Sequence, residues 1–178
     1  MRRKYVIQVL VVATIIGLGG YSWLGGWRKV AYTTVSATEP YALVGYFFEG
    51  DYDDPQLGRN FREIREYKES GALKGDFAVA YWLHPEDYEG RVQQMIGIMY
   101  PASEVPESLP QGLEVKTLPG STWAKATLTN HVAVMPSPKK VRERLREYAS
   151  QESLPLDTLS IEKYYSDWHL EILIPASE

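Results

Sequence analysis

An uncharged stretch of 20 residues near the N-terminus, YVIQVLVVATIIGLGGYSWL over residues 5–24, limits what this chain can be more than any other feature. Gln8 is its one strongly polar side chain. As an α-helix such a stretch is about 30 Å long, the thickness of a bilayer's hydrocarbon core. Tyr5, Tyr21, Trp23 and Trp27 stand near its two ends, where the amphipathic rings of Tyr and Trp favour the membrane interface. The expectation is an N-terminal transmembrane helix, with residues 1–30 as anchor and flank and residues 31–178 as one extramembrane domain. A cleaved signal peptide is the competing reading, since Arg2, Arg3 and Lys4 give a charged start. Its apolar run is usually shorter, and no small-x-small cleavage site follows this one directly. Arg2, Arg3 and Lys4 against Arg28 and Lys29 lean only slightly toward a cytoplasmic N-terminus with the domain outside.

The rest of the chain has the length of one ordinary domain, with enough sequence to bury a core. Five of the 19 basic residues flank the anchor; the remaining 14 face 23 acidic residues, a net charge of −9. Such a surface repels phosphate backbones, so no nucleic-acid partner is expected. With no cysteine, thiolate chemistry and Cys-ligated metals are excluded. His84, His131 and His169 lie far apart with no ligand spacing, and no phosphate loop or nucleophile elbow occurs, so no metal, cofactor or catalytic residue is assigned. Asp51, Asp53 and Asp54 fit a helix cap better than a calcium loop.

Two helices are legible. Asp54-Pro55 is a cap followed by Pro at the first helical position, and Leu57, Phe61, Ile64 and Tyr67 follow at helical spacing until Gly71. Ser137-Pro138 opens the second, with Val141, Leu145 and Tyr148 as its apolar stripe. Lys139, Lys140, Arg142, Arg144 and Arg146 read as its solvated face. Strands are expected over 41–49, 77–83, 93–100, 113–117, 122–129, 159–165 and 168–174, where β-branched and aromatic runs lie between turn residues. The order strand–helix–strand–strand occurs twice, and FREIREYKES near the end of one helix echoes VRERLREYAS in the other. The expected class is therefore α+β, a pseudo-symmetric duplicated βαββ domain with a cleft where its halves meet.

The second half carries a resemblance. GLEVKTLPG (112–120) with the strand after it, SIEKY (160–164) and LEILIP (170–175) resemble the last strands of the GyrI-like family, the effector-binding domain of bacterial transcription activators, also described as SOUL-type. An anchor followed directly by such a domain is similar to the membrane-anchored branch of that family, typified by testis-expressed protein 264. The resemblance implies two helices on one face of a curved sheet and a cleft on the other. It also implies a buried Glu among aromatics that binds a small amphipathic or cationic molecule. Carried onto this sequence, the closing-strand Glu is Glu171 and the penultimate-strand Glu is Glu162.

The residues themselves leave two readings of Glu171. Alternation places His169, Glu171 and Leu173 on one face of the last strand and Leu170, Ile172 and Ile174 on the other. A carboxylate among apolar neighbours is costly unless paired or functional. Glu171 is thus either a ligand-binding charge or a partner of Lys125 or Lys163. Glu162, Tyr46, Tyr81, Tyr100, Trp123 and Tyr165 complete the expected ligand-binding set. The leading function is a membrane-tethered small-molecule-binding module. The alternatives are a small-substrate hydrolase using a cleft Glu with a Tyr partner, and a protein-interaction adaptor whose cleft is vestigial.

Overall fold

The computed structural model describes residues 2–166 and 168–177, by backbone alone at residues 2–4, 7 and 9. Its first element is α1 (Arg2–Trp23), a helix of 22 residues. Gly25, at φ 75°, ends it. Gly26 N–H donates to the Tyr21 carbonyl at 2.9 Å and Gly25 N–H to that of Ser22 at 3.0 Å, the paired bonds of a glycine C-cap. Among the described residues, no helix is long and apolar enough to cross a membrane.

One eight-stranded antiparallel sheet follows. Its strands are β1 (Ala31–Ser36), β2 (Tyr41–Asp51), β3 (Asp76–Leu83), β4 (Arg91–Pro101), β5 (Glu114–Thr117), β6 (Thr122–Leu128), β7 (Ser160–Ser166) and β8 (His169–Pro175). Helices α2 (Pro55–Glu69) and α3 (Pro138–Gln151) follow β2 and β6. Asp54 caps α2 as its sequence requires, its Oδ1 accepting from Gln56 N–H at 2.7 Å.

The strand order β1-β6-β8-β7-β3-β4-β2-β5 reads the same way outward from the β3–β7 pair. Each half is one βαββ unit, and the strand that precedes each unit crosses to the outer edge of the other. β1 lies on β6, and β5 lies on β2. β1 (AYTTVS) is not among the strands expected from the sequence. It pairs over six residues with β6 and closes that edge.

Both helices lie on the same face. Ile64 of α2 packs with Val44, Ile96, Ile98 and Val79. Val141 and Leu145 of α3 pack with Ala124, Ala126, Leu128 and Ile172. The opposite face, where the resemblance implied a cleft, is packed with apolar side chains. There the curved sheet brings its two halves together, and Leu43, Met95, Met99, Trp123, Leu159, Ile161 and Leu173 form one buried cluster. Trp123, fully buried, meets the ring of Tyr41 edge-on at 5.9 Å. Bulky apolar side chains fill that concavity because leaving them wet would forfeit about 1.5–3 kcal/mol each.

Gly45 and Gly97 face each other across β2 and β4. A Cβ on Gly45 would lie 2.0 Å from the Ile96 carbonyl oxygen, and one on Gly97 would lie 2.3 Å from that of Val44. Neither backbone can retreat without opening the ladder. Gly45→Ala should therefore cost about 3 kcal/mol or more, at or above the upper end of ordinary overpacking. Denaturant unfolding checks this against Gly71→Ala, which meets no atom within 4 Å but carries a φ of +77° and so a strain of its own.

Candidate ligand groove

The floor of the space between α2 and α3 is the β3–β7 ladder. Phe77 pairs with Tyr164, Val79 with Glu162 and Tyr81 with Ser160. All six side chains share the helix face by alternation. A local twofold through this ladder relates Val79 to Glu162, Tyr81 to Tyr164 and Phe77 to Ser160. Matching Arg65-Glu66-Tyr67 of α2 with Arg146-Glu147-Tyr148 of α3 makes Phe61 the counterpart of Arg142. The symmetry of the backbone is thus broken by side chains. One half presents Phe61, Phe77 and Val79 where the other presents Arg142, Ser160 and Glu162.

The groove is amphipathic as a result. Its apolar end is a cavity of about 400 Å³ lined by Phe61, Arg65, Lys68, Phe77, Tyr164 and Tyr165 among others. Phe61 and Phe77 meet edge-on at 4.9 Å. Its polar end is a cavity of about 270 Å³ whose lining includes Tyr52, Tyr81, Glu86, Arg142, Glu162 and Tyr164. Tyr164 borders both cavities.

Glu162 is 3% exposed. Arg142 Nη1 donates to its Oε1 at 3.4 Å, and the Tyr164 hydroxyl donates to its Oε2. Arg142 also donates through Nη2 to Glu86. One guanidinium therefore serves two carboxylates. Burial raises the pKa of Glu162, while Tyr164 and Arg142 oppose the rise. Burial also raises Tyr81 and Tyr164, with the Glu162 charge adding to both. Their hydroxyls are donors throughout the ordinary pH range.

His84 stands at the rim of the polar end. It stacks on Tyr81 at 4.6 Å between ring centroids, and its Nε2 is 2.8 Å from Ser160 Oγ. Burial first, and then the Arg142 charge, hold its pKa down at about 4.

The structure separates the residues expected to form one site. Glu162 and Tyr81 border the polar end of the groove, and Tyr165 borders its apolar end. Glu171 lies on the other face of the sheet. Lys125 Nζ donates to its Oε1 at 3.1 Å and the Tyr165 hydroxyl to its Oε2 at 2.9 Å, with His169 Nε2 at 3.9 Å. That is the lysine pairing left open by the sequence. Tyr46 belongs to the core cluster beneath α2, and Tyr100 is buried with its oxygen accepting from Lys74 N–H at 3.0 Å. Trp123 is sealed in the core of the opposite face.

Arg142 is the residue the sequence misplaced. It is 6% exposed, not solvated, because α3 buries Val141, Arg142, Leu145 and Ala149. Arg142 flanks the Val141–Leu145–Ala149 stripe that packs on the sheet, and it alone of these four borders the groove. Tyr164, Glu86 and Phe61 also line the groove and were not in the expected set.

No protein-family model matches the chain, and no curated protein matches it in sequence. Solved structures do resemble it. An uncharacterized conserved protein from Listeria innocua has a TM-score of 0.55 at 12% identity, over 82% of this chain and 92% of that one. A hydrolase from Listeria innocua gives 0.51 at 12%, over 84% and 92%. EcmrR, in its complex with DNA, gives 0.56 at 11%, over 99% of this chain and 70% of that one. These likenesses establish a shared fold.

The titrations of His84 and Glu162 oppose each other. His84 binds a proton more readily unfolded than folded, so its contribution to stability rises with pH from about 4 to the ordinary value of 6.5. Glu162 binds a proton more readily folded, so its contribution falls as pH rises above the ordinary carboxylate range. His84→Gln should remove the rising component of His84, on the order of 2–3 kcal/mol, and so flatten the profile across this range. Unfolding free energies measured between pH 4 and 7 for both proteins check the sign.

Proposed function

We propose that this chain is a membrane-tethered module of the GyrI-like kind whose interhelical groove binds a small amphipathic or cationic molecule, with Glu162 as the charge that receives it. The observation that carries this reading is the shared Arg142. With Glu86 and Glu162 both ionised, the cluster lacks one positive charge among the described ion pairs, since Lys139 at the same cavity pairs with Asp87. A ligand cation supplies it, flanked by Tyr81 and Tyr164, whose ring faces attract cations. The apolar end then accepts the ligand's hydrophobic part. Glu171 has a lysine of its own and no such deficit. The domain's acidic balance argues against a nucleic-acid partner, and the likeness to EcmrR is one of fold.

The tether reading rests on α1. Val6, Leu10, Val11, Val12, Ile15, Ile16 and Leu18 are each more than half exposed. They lie on all sides of the helix and not along one stripe, and a helix apolar all round needs a bed of protein or lipid. The arrangement favoured by charge puts the N-terminus inside and the domain outside.

Hydrolysis of a small substrate is a second reading of the same groove. It draws on the Tyr164 hydroxyl bonded to a carboxyl of raised proton affinity, a pair suited to general acid–base work. The two readings part on turnover. Binding without consumption of the bound molecule fits the first, and Glu162-dependent product release fits the second.

Glu162→Gln tests the site. Tetraphenylphosphonium should bind the wild type, and the variant should bind at least about ten-fold more weakly, a loss of about 1.4 kcal/mol. Arg142 keeps Glu86, so the accompanying loss of stability should stay within about 1–3 kcal/mol. Equal binding by both proteins, measured by calorimetry, would remove Glu162 from the site. For the tether, full-length protein expressed in cells should remain in the membrane fraction after carbonate extraction; release into the supernatant would refute it.

A further inference from the structure

The apolar end of the groove lies beside the C-terminal end of α1. Ser166, on its rim, accepts from Trp168 N–H at 3.2 Å. The Trp168 ring meets Trp23 of α1 at 5.8 Å and His131 at 4.8 Å. The helix is fixed to this corner of the domain. Leu24 O accepts from His131 N–H at 3.0 Å, and Arg28 Nη1 donates to Thr129 O at 2.7 Å. The buried Asn130 amide donates to Gly25 O and Arg28 O. Trp23, Trp27 and Val132 stand exposed around the same corner. Three exposed apolar side chains beside an apolar helix end match a membrane interface. Arg65 and Lys68 on the groove's rim match the phosphates of that interface.

We infer that the groove is loaded from the bilayer: its ligand is a membrane-partitioned amphipathic cation that enters at the apolar end beside α1, past Tyr164, with its head going to Glu162. This rests on the tether and on the Glu162 site proposed above. Tyr164 is placed to act as the gate. Its ring forms a wall of the apolar cavity and meets Phe77 at 6.2 Å, while its hydroxyl covers the Glu162 carboxylate from the other side. A head group arriving from the apolar end must displace that hydroxyl before it reaches the charge. The polar end opens instead among Lys139, Glu86 and Pro138, away from Trp23 and the end of α1.

The chain has no cysteine, so single cysteines can be placed at will. Full-length protein in phosphatidylcholine vesicles is labelled at Ser166→Cys, or at Lys140→Cys as an exposed site on α3. A nitroxide at 166 should collide preferentially with lipid-dissolved oxygen, and one at 140 with a water-soluble nickel chelate. Dodecyltrimethylammonium dissolved in the vesicles should bind in a Glu162-dependent manner. A bulky maleimide at 166 should slow its association by about ten-fold or more, with no such effect from the label at 140. Tetramethylammonium added from water should associate equally with both, which also establishes that the labelled protein is folded. An aqueous signature at 166, or unchanged association of the dodecyl probe, overturns loading from the bilayer and leaves the Glu162 site standing. Failure of the dodecyl probe to bind the wild type overturns the site, and the route with it.

Discussion

Five residue pairs of the β3–β7 ladder join the two halves of the sheet, and at its centre a carboxylate faces a valine. Were both halves alike, this seam would be an apolar floor under two helices and would need no further explanation. Glu162 changes that. A carboxylate withdrawn from water costs several kcal/mol unless its charge is met, and the residues around it differ from their symmetry mates in the way that cost demands. Arg142 stands where the other half has Phe61, and Ser160 where it has Phe77. With Glu162 itself, that makes three departures from the repeat at one seam.

Those departures are incomplete as charge compensation. Arg142 is divided between Glu162 and the more exposed Glu86. His84, which borders the same cavity, is kept neutral by burial and by Arg142 itself. A fold selected only for stability would place an apolar residue at 162, since replacing buried ion pairs by packed hydrophobes is often neutral or favourable. The retained, under-neutralised carboxylate is what gives the groove something to exchange with a ligand.

Much of the architecture was legible because it rests on local rules. The Pro-led caps at Asp54 and Ser137 and the repeated REY placed both helices and exposed the duplication. The strand exchange was not legible, since nothing in AYTTVS says that β1 pairs with β6 of the opposite half. Period-2 alternation correctly separated Glu171 from Ile172 and put Tyr164 with Glu162. It could not say which face would stay open, because that depends on curvature. On the face away from the helices, Trp123, Met95 and Met99 from both halves meet in one buried cluster. Arg142 was lost among five basic residues in one stretch of α3, where composition hides the single member that is buried.

Glu162 and Glu171 stand on adjacent strands, and each accepts a tyrosine hydroxyl and a basic side chain. Their difference is one of stoichiometry. Lys125 serves Glu171 alone among the described ion pairs, and the pair lies where solvent can still screen it. Exposed or half-exposed pairs of this kind contribute little either way. A cation approaching Glu171 would have to displace a satisfied ammonium for no gain in charge balance. At Glu162 an arriving cation leaves Arg142 to Glu86, so both carboxylates end neutralised. It does so against tyrosine rings and in a medium where Coulomb attraction is several times stronger than in water. Aromatic neighbours alone would not distinguish the two glutamates; the count of positive charges per carboxylate does.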